Sequence, residues 1–253
     1  MNIVIFGAAG WTGRAILNNL EENGHHVRAA VRGPSSWEKF KDIDGEWRGE
    51  ETYGDMADFH YVERAVQGMD AAVHSSVYFP KADDPNDNLP FLANLKGLWN
   101  VLECARRRGL KRVVHIGSCQ TVHPKGVFFT ADVRRPDGTL YAACKRLQEE
   151  MCRQFHEAHG LSIVVLRPDY IVDSRLGIDF ARAKLGPSGR PTRNGMVCRH
   201  DLAEACRLAL EHPTIEFDIF HIVGTPEADE TCNVARSREV LGLTYKGDLE
   251  QYR

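Results

Sequence analysis

The sequence predicts an α/β fold, a Rossmann-type doubly wound parallel sheet with a small C-terminal substrate lobe, and three observations carry that expectation. Short apolar runs of strand length alternate with helical patterns along nearly the whole chain, as in parallel sheets built from crossover units. The first run, Ile3-Val4-Ile5-Phe6, turns on glycines, Gly7-Ala8-Ala9-Gly10-Trp11-Thr12-Gly13, into a helical pattern from Arg14 to Asn23. A chain of 253 residues with 43% hydrophobic content can bury one large core and a small appendage.

A strand that turns on glycines into a helix makes a phosphate site, because the backbone can approach a pyrophosphate and the helix start offers unpaired N–H groups. Gly7, Ala9, Gly10, Trp11, Thr12 and Gly13 are therefore candidate cofactor contacts, although their GxxGxxG spacing also suits a tight turn without a ligand. The formal net charge of −3 argues against nucleic-acid or membrane partners and for a small-molecule substrate. The seven cysteines form no CxxC pair and no zinc spacing, so they read as reduced thiols and no metal is expected. With no charged leader and no run of roughly 18 to 20 apolar residues, the expected location is the cytoplasm.

His26 to Val31 is the second strand, ending at Arg32-Gly33-Pro34. An acidic residue at this strand end bonds the ribose 2′-OH of NAD, whereas an arginine accommodates the 2′-phosphate of NADP. Arg32, with Arg28 upstream and Ser35 and Ser36 close by, favours NADP, with NAD possible; a solvated strand-end cation is the plainer alternative. A third strand at Glu51 to Tyr53 runs into Gly54-Asp55-Met56 and a helix from about Asp58 to Gln67. Asp55 is either an acceptor for the adenine amine or a turn residue or helix cap.

Asp70 to Val77 is the fourth strand running into a loop, where the small residues Ser75 and Ser76 let a cofactor pass the strand end. His74 reads as a packed strand residue. The loop Tyr78 to Asn88 is long for a connector and is either a lid or ordinary surface. A long helix from Leu89 or Pro90 to Arg108 follows, closed by Gly109, its Arg106-Arg107-Arg108 run matched to the helix dipole.

Lys111 to Ser118 is the fifth strand and delivers Ser118 and Cys119. After a loop containing Pro124, Pro136 and Gly138, a helix from about Thr139 to His159 carries Tyr141 and Lys145 on one face. An ammonium beside a phenol lowers its pKa, which would let Tyr141 exchange a proton with a substrate oxygen near neutral pH. Ser162 to Leu166 is a sixth strand, Asp201 to Glu211 a helix and Phe217 to Val223 a seventh strand.

In this order the motifs resemble the extended branch of the short-chain dehydrogenase/reductase superfamily, the NAD(P)-dependent epimerase/dehydratase-like proteins, over nearly the whole chain. The resemblance rests on Gly7, Gly10 and Gly13, Gly54-Asp55, Asp70 to Ser76, Asn94 with Gly97 and Asn100, Val113 to Ser118, Tyr141 and Lys145, Leu166-Arg167-Pro168, and Arg199-His200-Asp201-Leu202-Ala203. It implies that Tyr141 is the acid/base, that Lys145 bonds the nicotinamide ribose and depresses the tyrosine pKa, and that Ser118 holds the substrate oxygen. Counted from the following residues, the hydroxyl position falls instead on Cys119, a poorer donor. It further implies cofactor contacts at Asp55, Met56, Ser75, Ser76, Tyr141, Lys145 and Pro168, and an active-site backbone supported by Asn94. The family commonly has a glycine where this chain has Asp173.

The expected division is a nucleotide-binding domain over 1–170, its sheet completed within 196–223, and a small substrate lobe from 171–195 and 224–253. Arg182, Lys184, Arg190 and Arg193 in that lobe either meet an anionic substrate or are solvated loop charges. The leading functional expectation is an NADP-dependent oxidoreductase acting on a carbonyl or secondary alcohol. An NAD(P)-dependent sugar-nucleotide epimerase or dehydratase is the alternative enzyme, with dehydration disfavoured because Cys119-Gln120 replaces the usual Asp-Glu pair after Ser118. A non-catalytic NADP-sensing module is the third reading, and retention of Tyr141 and Lys145 weighs against it. The resemblance also implies a homodimer pairing the helix near Asn94 to Arg108 with the Tyr141 helix.

Overall fold

A computed structural model describes residues 1–80, 84, 86–121 and 136–253. The elements in chain order are β1 (Asn2–Phe6), α1 (Trp11–Glu22), β2 (His26–Val31), a 3₁₀ segment (Pro34–Phe40), α2 (Lys41–Asp44), β3 (Glu50–Tyr53), α3 (Phe59–Ala65) and β4 (Ala71–His74). A π-helical turn (Pro90–Lys96) leads into α4 (Gly97–Arg108), followed by β5 (Arg112–Ile116), α5 (Leu140–His159), β6 (Ile163–Arg167), β7 (Tyr170–Asp173), β8 (Ile178–Asp179), β9 (Met196–Cys198), α6 (Arg199–Glu211), β10 (Phe217–His221), α7 (Ala228–Thr231) and α8 (Ala235–Leu241).

Seven parallel strands run β3-β2-β1-β4-β5-β6-β10, so the winding reverses between β1 and β4. Alternation along each strand divides the core. Ile3 and Ile5 of β1 face α1 and α6, while Val4 and Phe6 face α3, α4 and α5. The remaining strands form a small mixed sheet, β8-β7-β9, over its own apolar cluster of Val172, Leu185, Met196 and Leu249. Only β10 completes the large sheet; β9, which also falls within 196–223, pairs with β7.

Two local readings shift. Helix α1 begins at Trp11 rather than Arg14, because extended Gly10 (φ −73°, ψ 168°) serves as its N-cap. The stretch after Gly33-Pro34, for which the sequence pattern predicts no element, folds into the 3₁₀ segment and α2 because Trp37 and Phe40 are buried. Trp37 stacks on Trp47 at 6.3 Å, and Arg14 donates to the Trp37 and Gly45 carbonyls at 2.6 and 3.0 Å, fastening the segment to α1. The loop Tyr78 to Asn88, read as either a lid or ordinary surface, lies partly outside the described residues, as does the loop with Pro124. Among the described residues no helix is long and apolar enough to cross a membrane.

Candidate active site

The glycine turn lies at the reversal of the sheet, where open α/β sheets bind ligands. Gly7 has φ +87°, and a Cβ there would meet the Ser76 nitrogen at 2.7 Å. A Cβ on Gly13 would lie 2.1 Å from the Gly7 carbonyl oxygen, so the first turn of α1 seats directly on the loop. No side chain caps α1, which leaves its leading N–H groups for an anion. Ser75 bonds the Phe6 carbonyl through its nitrogen and its Oγ, at 2.9 and 3.0 Å, and pins the opposite wall. Gly7, Gly10, Gly13, Ser75 and Ser76 therefore come together at one place, with Ala9 and Thr12 between the glycines, and the tight backbone and uncapped helix start fit a dinucleotide pyrophosphate. Trp11 contributes only backbone there: its ring is buried, donating Nε1 to the Ile171 carbonyl at 3.2 Å.

At the adenosine end, Arg32 is solvent-facing and its Nη2 stands 4.0 Å from an Asp55 oxygen. Arg28 is already used, by Glu50 at 2.6 Å and by the Ala65 and Gln67 carbonyls at 2.8 Å. Asp55 accepts from the Ala57 nitrogen, as a turn residue does, with its other oxygen toward Arg32. The Met56 carbonyl is held by Asn100 Nδ2 at 2.7 Å. The Pro168 carbonyl accepts from the Cys119 nitrogen at 2.9 Å.

Ser118 leaves β5 beside the start of α5, where Thr139 accepts from the Ala142 nitrogen as N-cap. The Tyr141 hydroxyl hydrogen-bonds Ser118. Cys119 turns the other way: its Sγ donates to the Arg167 carbonyl at 3.2 Å, and it packs with Val223, Ala228, Cys232 and Val234. The hydroxyl beside Tyr141 is thus that of Ser118. Burial pushes the Tyr141 phenol up to about 12, with the Ser118 bond acting against the shift. The expectation of a phenol lowered by its lysine is not met in this arrangement. Lys145 points inward, donates to the Ile116 carbonyl at 2.9 Å and lies 6.0 Å from the Tyr141 ring, and burial brings it down to about 8.

Phe79 stacks on Tyr141, centroids 5.3 Å apart and planes 14° off parallel, while remaining exposed. Its position follows from Asn94, which accepts from the Tyr78 nitrogen at 2.8 Å and donates to the Tyr78 carbonyl at 2.9 Å. Gln148 of α5 in turn donates to the Asn94 carbonyl at 2.7 Å. The π-helical turn sets Asn94 in place, so the backbone support implied for it is seen here as a clamp on Tyr78. Phe79 was missed because an exposed loop aromatic carries no periodic signal.

Behind the site, His74 and His115 are fully buried with their Nδ1 atoms 3.0 Å apart. One ring must donate and the other accept, so both are neutral and of opposite tautomer. Burial holds His74 down at about 3 and His115 well below its usual range.

Of the lobe cations, Arg182 is tied to the Lys39 carbonyl and Asp42 at 2.7 and 2.8 Å, and Arg190 to Asp179 at 3.2 Å. Arg193 lies over the Tyr170 ring at 4.2 Å. Asp173 meets Arg199 at 2.6 Å and His200 at 3.2 Å. Burial pushes its carboxyl up, but the bonds from His200 and Arg199 outweigh this and hold it well below the usual range. No group of ligating side chains suited to a metal ion occurs among the described residues.

A parallel sheet with a glycine turn at its reversal, and a serine, tyrosine and lysine at the end of β5 and the start of α5, defines the NAD(P)-dependent enzymes of the extended short-chain dehydrogenase/reductase superfamily. The sequence pattern of the NAD dependent epimerase/dehydratase family matches residues 3–172, and the chain belongs to that family. It is 28% identical over 199 residues to sterol demethylase protein B of Methylococcus capsulatus, covering 73% of this chain and 58% of that protein. It is 25% identical over 143 residues to a putative dihydroflavonol 4-reductase of Synechocystis, covering 56% of this chain and 38% of that one. The chain thus spans less than two thirds of the length of these curated relatives. A short-chain dehydrogenase/reductase superfamily protein from Agrobacterium tumefaciens, solved with bound NAD, shares the fold at a TM-score of 0.79 and 19% identity, over 100% of this chain and 94% of that one.

Proposed function

We infer that this chain is an NADP-dependent oxidoreductase interconverting a carbonyl and a secondary alcohol of a small molecule, with Tyr141 as acid/base. The observation that carries the reading is the Tyr141 hydroxyl bonded to Ser118 at the end of β5, separated by β4 alone from β1 and its glycine turn. Bound NADP would supply or accept the hydride. Gly7 to Gly13 would hold its pyrophosphate, Ser75 and Ser76 would flank it, and Met56, Asp55 and Arg32 would lie toward the adenosine, Arg32 meeting the 2′-phosphate. Tyr141 Oη would pass its proton to the substrate oxygen or take one from it, and Ser118 Oγ would hold that oxygen in line. Lys145, turned from the Ile116 carbonyl toward the ribose and the phenol, would bring the phenol down from about 12 and make it an acid at neutral pH. Pro168, whose carbonyl fixes the backbone at Cys119, would border the nicotinamide.

Exposed Leu89, Phe91, Leu92, Trp99 and Leu147, on the π-helical turn and its flanks and on α4 and α5, support a homodimer through these helices. Seven free, buried cysteines agree with a cytoplasmic setting. The test is a parallel titration with NADPH and NADH. Preference for NADPH that is lost in Arg32→Ala supports the reading, and a panel of carbonyl compounds follows. Preference for NADH, or a nucleotide that copurifies and does not exchange, would overturn NADP dependence and favour an epimerase.

A further inference from the structure

A cluster of buried charges backs the first turn of α1. Arg199, 2% exposed, donates from Nε to Asp173 at 2.6 Å and from its two Nη atoms to both oxygens of Asp44 at 2.9 and 2.7 Å. Its guanidinium lies 4.2 Å from the Trp11 ring and reaches the Trp11 carbonyl at 3.4 Å. The same indole meets Phe40 at 5.4 Å and donates to the Ile171 carbonyl. The starts of α1 and α6, the short helix α2 and strand β7 therefore meet on one planar fork.

Charges this deep persist only when paired with good geometry, and removing one partner strands the others. Trp11 is the first residue of α1, so whatever orients its ring orients the N–H groups of the cradle. Without Arg199, Asp173 would keep one cationic partner among the described residues, His200 at 3.2 Å, and Asp44 would lose both of its guanidinium bonds, leaving excess negative charge behind the place where a pyrophosphate binds.

We propose that Arg199 is a positioning residue for dinucleotide binding: it clamps Trp11 against Asp44 and Asp173 and offsets part of the negative charge of the two carboxylates behind the cradle. The proposal rests on reading Gly7 to Gly13 as that cradle. Because the pyrophosphate is common to both dinucleotides, Arg199 acts equally on each, whereas Arg32 separates them.

The experiment is calorimetric titration of the full chain with NADPH and with NADH, for the wild type, Arg199→Met, Arg199→Lys and Arg199→Met/Asp173→Asn, alongside melting curves without nucleotide. Arg199→Met weakens both dinucleotides by about ten-fold or more, in equal proportion, and Arg199→Lys, which keeps the charge but not the fork, loses less. The double variant, which removes one stranded carboxylate, recovers part of the lost affinity; the loss and the recovery persist at temperatures where the melting curves show every variant fully folded, which a merely structural role would not produce. If Arg199→Met does not fold, Arg199→Lys decides, together with Trp11→Phe, which keeps the stacking but loses the bond to Ile171 and weakens both dinucleotides several-fold. Folded Arg199 variants that bind both dinucleotides like the wild type overturn the proposal, as does a loss confined to NADPH. A wild-type chain that binds neither overturns the cradle reading itself, and the proposal with it.

Discussion

Tyr141 and Lys145 stand in opposed electrostatic situations, and each predicts a separate measurement. Replacing Tyr141 with Phe removes the proton donor but keeps the ring that Phe79 covers, so turnover falls about 100- to 10,000-fold while the dinucleotide dissociation constant changes little; a comparable fall in binding would remove the acid/base assignment. Lys145 is a cation in a fully buried place, brought down to about 8 from 10.5 by desolvation. Between those two values the unfolded chain binds the extra proton, so stability rises with pH across that window. Lys145→Met is accordingly expected to be more stable than the wild type near neutral pH, by on the order of 2 kcal/mol, with the gain fading above about pH 10. Urea titrations at pH 7 and 10 check this. The residue types and their spacing announced this pair, but not its orientation. Nothing in Tyr-Ala-Ala-Cys-Lys says that the ammonium turns to the Ile116 carbonyl, because that depends on the depth at which α5 meets β5.

The turn between β1 and α1 separates two kinds of glycine. At Gly13 an added methyl strikes backbone oxygen at 2.1 Å, whereas at Gly10 it meets only the Gly7 oxygen at 3.2 Å, on a backbone with negative φ. Gly13→Ala therefore costs about 3 kcal/mol or more, and Gly10→Ala about 1 kcal/mol or less, with its larger effect on nucleotide affinity. Denaturant midpoints of the two variants distinguish them; equal losses would contradict this packing. Strands and helices were legible because their periods are local: Ile3-Val4-Ile5-Phe6 could only be a doubly covered strand, and the long amphipathic helices ended at Gly109 and Gly160 as glycine caps require. Elements whose reason lies elsewhere in the chain were hidden. The 3₁₀ segment and α2 exist because Trp37, Phe40 and Asp44 have partners on α1 and α6. Asp173 was visible only as an unexpected residue where a glycine is usual; its meaning came with Arg199, which is adjacent in space and remote in sequence.

At the scale of the molecule, the apolar side chains left exposed on the α4 and α5 side predict association. A mass in solution of about two chains is expected, and Leu147→Glu, on a side chain 52% exposed, shifts it to one without lowering the melting temperature of the monomer. A monomeric wild type would rule this pairing out. The neutral imidazole pair of His74 and His115 has a different reach. Both rings are kept from protonating in the fold, and both regain an ordinary affinity for protons, near 6.5, once the chain opens. Unfolding in weak acid is therefore coupled to the uptake of two protons, and stability falls by roughly 2 to 3 kcal/mol for each pH unit between about 5.5 and 4. Two residues that no solvent reaches thus weigh on the acid limit of the whole protein, and its shelf life in an acidic buffer depends on the centre of the sheet as well as on its charged surface.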